Sequence, residues 1–153
     1  EAMVAGLRLL KAWGGGALAA AADPSLEKLM AALPPQRRVA AQQSRIFAPE
    51  YVNQPAVREA FDIVHTAIGA QRLLRIDYSD AQQRESVRVV QPLGLFFWGN
   101  VWLLAAWCTT RSDYRSFRLD RCRALTMLDE HFLETSERSL NGFLRTVQSD
   151  TQG

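Results

Sequence analysis

The sequence predicts an α+β protein: an N-terminal helical segment, then a small antiparallel β-barrel of the Sm-like or SH3-like kind, then a short C-terminal helix. Three observations carry this. Apolar residues recur at helical spacing as far as Gly69 and at a spacing of two beyond it. The period-two region holds four or five short strands within roughly sixty residues, a density typical of small barrels. Ser79-Asp80 and Gly99-Asn100 supply tight turns, which join antiparallel neighbours and leave no room for crossovers.

Each element follows from local chemistry. Met3, Val4, Leu7, Leu10 and Ala12 give a first helix that stops at Gly14-Gly15-Gly16. No capping signal precedes it, so the natural chain is expected to begin earlier. Asp23-Pro24 offers a cap and a first-turn proline for a second helix with Leu26, Leu29, Met30 and Leu33 on its apolar face, ended by Pro34-Pro35. From Gln36 to Phe47 the weaker pattern allows a short strand or an extended crossing segment, closed by Pro49. Asn53 and Pro55 open a third helix with Val57, Ala60, Phe61, Val64 and Ile68 on one face. His65 lies beside that face, where a histidine is ordinarily a packed or partly exposed surface residue and not a ligand.

A strand is expected at Leu73–Tyr78, and Ser86–Trp98 reads as one long strand or a bent pair, kinked near Pro92 and Gly94. The Gly99-Asn100 turn leads into Val101–Thr109, and Tyr114–Leu128 reads as a last long strand. Ser139–Val147 forms the tail helix. The resulting division is a helical linker and dimerisation segment at 1–54, a barrel domain with its preceding helix at 55–134, and a helix and tail at 135–153.

With 48% hydrophobic and 22% charged residues, the 153-residue chain has the make-up of an ordinary globular protein. No apolar run approaches the roughly 20 residues that span a bilayer, and no basic leader is visible, so a cytoplasmic location is expected. Cys108, Cys122, His65 and His131 lack metal-ligand spacing, so neither metal nor cofactor is expected. An enzyme is disfavoured: there is no nucleophile–base pairing, paired acidic motif or Gly-rich phosphate loop, and Ser86, Ser112 and Ser116 have no nearby histidine.

The net charge is only +2, yet nine arginines face five carboxylates between Arg72 and Arg123. Lysine occurs only at Lys11 and Lys28. A GC-rich genome accounts for an arginine bias as a whole; the local excess hints at an anionic ligand, since guanidinium forks suit phosphates and carboxylates. The stretch SFRLDR, 116–121, concentrates the question. Alternation along a strand would send Phe117, Leu119 and Arg121 one way and Arg118 and Asp120 the other. Arg118 and Asp120 then form either a plain exposed ion pair or an anion-binding face in which Asp120 orients a guanidinium.

The segments GNVWLLAAW and YRSFRLDRCRAL resemble the WYL domain, which follows a winged helix-turn-helix in many bacterial transcriptional regulators of the YafY-like type. Gly99 precedes Trp102-Leu103-Leu104 in one strand, and Phe117-Arg118-Leu119-Asp120-Arg121 follows in the next. LRIDY at 74–78 and VVQPLGLFFWGN with Pro92-Leu93 also resemble that family, so the likeness runs from about Val57 to Leu128. One residue departs: the triplet's usual middle tyrosine is Leu103, so no role resting on its hydroxyl carries over.

The resemblance implies an effector-sensing and oligomerising part of a regulator, with the DNA-reading domain outside this chain and operator duplex bound only through that domain. The implied ligand is single-stranded nucleic acid or a small phosphate-bearing effector on a basic barrel face. Candidate phosphate contacts are Arg75, Arg88, Arg115, Arg118 and Arg121; candidate base platforms are Tyr78, Trp98, Tyr114 and Trp102. Not all of them fit on one face, and a strand tryptophan such as Trp102 is ordinarily packing. Leu7, Leu10 and Trp13, expected to be exposed at the edge of the helical segment, suggest a homodimer or a domain contact. The alternative is a stand-alone Sm-like module binding RNA or single-stranded DNA.

Overall fold

The computed structural model describes residues 2–44 and 54–150. It divides into two compact units, Glu1–Glu59 and Ala60–Gly153.

The first unit is helical. Its elements are α1 (Ala2–Trp13), α2 (Gly16–Ala32) and α3 (Pro35–Gln42), with α1 packed on α2. The buried positions, Val4, Ala5, Ala12, Ala22 and Ala41, are small. Lys11 reaches Asp23 at 2.9 Å. The last carbonyls of α1, which have no partner within the helix, are met by a guanidinium: Arg58 Nη2 donates to Ala12 O at 3.0 Å.

Two sequence expectations fail here. The second helix starts at Gly16 and runs through Pro24, because the Ala-rich stretch 17–22 has the strongest helix propensity available and outweighs one interior proline. Ser25 Oγ donates to Ala21 O at 2.7 Å, next to the bond that Pro24 cannot make. The segment after Pro34 is a helix and not a strand: Pro35 fills a first-turn position, where its missing N–H costs nothing. The expected cap Asn53, with Ile46, Phe47 and Pro49, lies outside the described residues.

Helix α4 (Pro55–Gly69) leads into the second unit. There follow β1 (Arg72–Ser79), β2 (Glu85–Trp98), β3 (Val101–Cys108), β4 (Asp113–Arg118), a 3₁₀ turn (Leu119–Arg121), β5 (Cys122–His131) and α5 (Leu140–Asp150). The strands make one antiparallel sheet in the order β4-β3-β2-β1-β5. The fold is thus α+β with a five-stranded antiparallel sheet and a short C-terminal helix.

The expected single last strand is two strands at opposite edges of the sheet, joined by three residues. That connection requires the sheet to curl. Tyr78 on β1 meets Phe117 on β4 edge to face, ring centres 5.2 Å apart, although β2 and β3 separate their strands in the sheet. The curvature is that of a barrel, but among the described residues no β4–β5 ladder closes it.

Inside the curl Leu74, Ile76, Val90, Leu104, Cys108 and Leu119 are fully buried or nearly so; each large aliphatic side chain contributes about 1.5–3 kcal/mol by leaving water. A register shift between Pro92 and Gly94 bends β2 where the sequence expects its kink. Gly99 and Asn100 both take positive φ, 53° and 66°, the backbone that a tight two-residue hairpin demands. Phe61 of α4 packs on Trp102 at 4.8 Å. Helix α5 approaches closely enough that a Cβ on Gly142 would strike the Tyr114 hydroxyl.

Candidate functional site

The 3₁₀ turn sets the site. At its N-terminal end Arg118 leaves β4 with its backbone N–H directed at the Tyr78 hydroxyl oxygen, 3.3 Å away. Its guanidinium then folds onto Asp120: Nε donates to Oδ1 at 3.0 Å and Nη2 to Oδ2 at 2.6 Å. Both side chains keep 35% of their surface exposed. The bidentate bond holds the Asp120 carboxyl below its ordinary range and raises Arg118 further above its own. Leu119 between them is buried in the core, which anchors the turn.

Arg121, the last residue of the turn, is half-buried and forms no salt bridge among the described residues, although its charge helps to hold the neighbouring Asp120 carboxyl low. With Asp120, Cys122 and Arg123 it lines one wall of a cleft of about 430 Å³. The opposite wall is the β1–β2 turn, Ser79 to Glu85. Asp80 organises that wall: its Oδ1 accepts from the N–H groups of Gln82 at 2.8 Å and Arg84 at 2.9 Å, and Arg84 Nε donates to its Oδ2 at 2.7 Å. These bonds, the Arg84 backbone first, hold the Asp80 carboxyl low. Arg123 pairs with Glu85 across the cleft. The same pair borders a second depression of about 270 Å³ that also includes Tyr78, so the two form one groove along this end of the sheet.

Cys122 sits in the cleft wall with its thiol donating to Arg118 O at 3.4 Å. Burial, with the Asp120 charge beside it, pushes the thiol up to about 12, so it is a neutral packing group. Cys108 and Cys122 are both free. Among the described residues no three His, Cys, Asp or Glu side chains gather to hold a metal, and no helix is long and apolar enough to cross a membrane.

The structure therefore brings together Arg118, Arg121 and Tyr78 from the residues the sequence singles out. Arg121 lines the first depression and Tyr78 the second, Arg118 is joined to the first only through its bonds to Asp120, and the other candidates line neither. Arg75 pairs with Asp77 at 3.5 Å and Arg115 with Asp113 at 2.9 Å. Arg88 lies opposite Ile76, its Nη1 donating to Val87 O at 3.0 Å. Tyr114 is a strut: its ring meets Trp107 at 5.1 Å, its hydroxyl donates to Glu137 O at 2.9 Å and accepts from Ser139 N at 3.2 Å. Trp102 lies against Phe61 and Phe97. Trp98 is 76% exposed at the hairpin tip. Alternation along SFRLDR holds only to Arg118, because the 3₁₀ turn rotates the residues after it. Sequence reasoning missed the far wall, Asp80, Gln83 and Glu85; its one available signal was the Ser79-Asp80 turn.

Leu103 and Arg118 are directly opposed in the β3–β4 ladder, which ties the two sequence segments into one site. Residues 59–127 match the family model described as the WYL domain. The chain carries a WYL domain. The triplet Trp102-Leu103-Leu104 of that domain occupies β3, and its Phe117–Arg121 segment occupies the end of β4 and the 3₁₀ turn. Among solved structures, the chain is similar to Proteasome accessory factor B/C (PafBC) of Arthrobacter aurescens, with 27% identity and a TM-score of 0.48 over 88% of this chain and 20% of that one. It thus spans about a fifth of that protein's length. No curated protein matches.

Proposed function

We propose that this chain is the effector-sensing and oligomerising part of a bacterial transcriptional regulator. Its WYL domain takes an anionic ligand, single-stranded nucleic acid or a nucleotide-like phosphate-bearing effector, in the cleft between the β1–β2 turn and the 3₁₀ turn. Occupancy there controls a helix-turn-helix domain outside the chain. The observation that carries this reading is Arg121: a guanidinium in a cleft wall that forms no salt bridge among the described residues, three positions from a second guanidinium held in a bidentate fork. Tyr78, in the adjoining depression, offers ring surface for a base next to a bound phosphate.

The test is fluorescence anisotropy with a labelled oligothymidylate. Arg121→Gln is expected to weaken binding roughly tenfold at low salt and to flatten the dependence of log K on log salt by about 0.7, the loss of one single-strand phosphate contact. Equal affinity and equal slope in the variant would remove Arg121 from the ligand.

A further inference from the structure

We propose that Asp120 is a built-in anion that occupies Arg118, so that the resting cleft presents one guanidinium, Arg121, and offers the second only when a ligand displaces the carboxylate. This deepens the function proposed above and rests on it for the location of the ligand.

The argument starts from the pairing pattern. Asp120 satisfies Arg118 with two short, parallel bonds, the same fork that a phosphate would accept. It does so from within the turn, two residues away, so the competitor is always present at high effective concentration. Asp120 lines the cleft together with Arg121, whereas Arg118 does not line it and is one hydrogen bond, 2.6 Å, from the carboxylate of a residue that does. A third of each partner's surface remains in water, so the pair can exchange without unfolding the strand. The other arginine that lines the cleft, Arg123, is tied to Glu85, and Arg84 in the far turn is tied to Asp80. The device therefore sets a threshold. A single weak anion is left with Arg121 alone, whereas a ligand presenting two phosphates in succession gains a second fork by expelling Asp120.

Asp120→Asn keeps the side chain's shape and removes its charge. In the labelled oligothymidylate titration it is expected to bind roughly tenfold tighter than the unmodified chain at low salt, with a slope steeper by about 0.7. In Asp120→Asn combined with Arg118→Gln that gain is expected to vanish, because the released guanidinium is the source of it. Inorganic pyrophosphate gives a second reading without nucleic acid: it is expected to raise the melting temperature of Asp120→Asn more than that of the unmodified chain. No gain in either assay, or a gain that survives in the double variant, overturns the proposal; the second result would mean general relief of negative charge. If pyrophosphate stabilises Asp120→Asn while no variant binds the oligonucleotide, Asp120 still gates Arg118 and the nucleic-acid reading falls.

Discussion

Asp120 and Cys122, two residues apart, respond to the same turn in opposite ways. Arg118 pulls the Asp120 carboxyl down, so the folded state releases its proton more easily than the unfolded chain does. The stabilisation is complete above the ordinary carboxyl value of 3.8 and is lost as pH falls through the lower folded value. Asp120→Asn should therefore melt slightly below the unmodified chain near neutral pH, by about 1–3 °C given solvent screening of so exposed a pair. The two melting curves should converge in strong acid; a gap independent of pH would contradict the linkage. Cys122 is pushed up by burial to about 12, and nucleophilic attack needs the thiolate. Iodoacetamide at mildly alkaline pH should modify it far more slowly in the native protein than in urea. Equal rates would mean that the turn opens freely.

At the scale of elements, the contact between α5 and the sheet is tight enough to test. A methyl at position 142 would meet the Tyr114 hydroxyl, which is itself held by Glu137 and Ser139. Gly142→Ala is expected to cost about 1–3 kcal/mol by overpacking, and part of that cost should disappear in a Tyr114→Phe background. Thermal melts of the four-member cycle measure the coupling; additive effects would show that the helix shifts to make room.

This scale also explains what the sequence reveals. Helix α1, the helix α4 face and the β2–β3 hairpin are legible because period and turn chemistry agree there: Ala60, Phe61 and Val64 of the expected face are buried, and Gly99-Asn100 turns as its residues require. The start of α2 is not, since Asp23-Pro24 imitates a cap within a stretch whose alanines already favour helix. The break in the last strand is hidden for a different reason. Phe117, Leu119, Leu125 and Met127 keep one parity across the 3₁₀ turn, so the apolar alternation passes through the corner without a fault. The near wall of the candidate site, Arg118 to Arg121, can be found in one short stretch. The far wall arrives from the β1–β2 turn through the β1–β5 ladder, in which Tyr78 pairs with Cys122, and no local pattern reports that.

Across the whole molecule the basic excess of residues 72–123 takes on a definite form. Six of the nine arginines are paired: Arg72 with Asp129, Arg75 with Asp77, Arg84 with Asp80, Arg115 with Asp113, Arg118 with Asp120 and Arg123 with Glu85. Arg88, Arg111 and Arg121 have no ion-pair partner among the described residues, and of these only Arg121 lines the cleft. Surface pairs of this kind add little to stability; here they remove competing cations and leave one in the cleft wall. In the helical unit Leu7, Leu10 and Trp13 are half-buried and Met3 is 65% exposed. The expected oligomer is a homodimer, and light scattering should give twice the chain mass of 17.2 kDa; a monomer at micromolar concentration would remove dimerisation from the proposal.

The location of the ligand is read most directly by following backbone amide resonances while an oligothymidylate is added to the whole chain. The expected shifts fall on Leu119–Arg123 and on Ser79–Glu85, the two walls of the cleft, and weaken in Arg121→Gln. Shifts gathered instead at the Trp98 hairpin tip or along α5, with both walls silent, would contradict an anion site at the 3₁₀ turn.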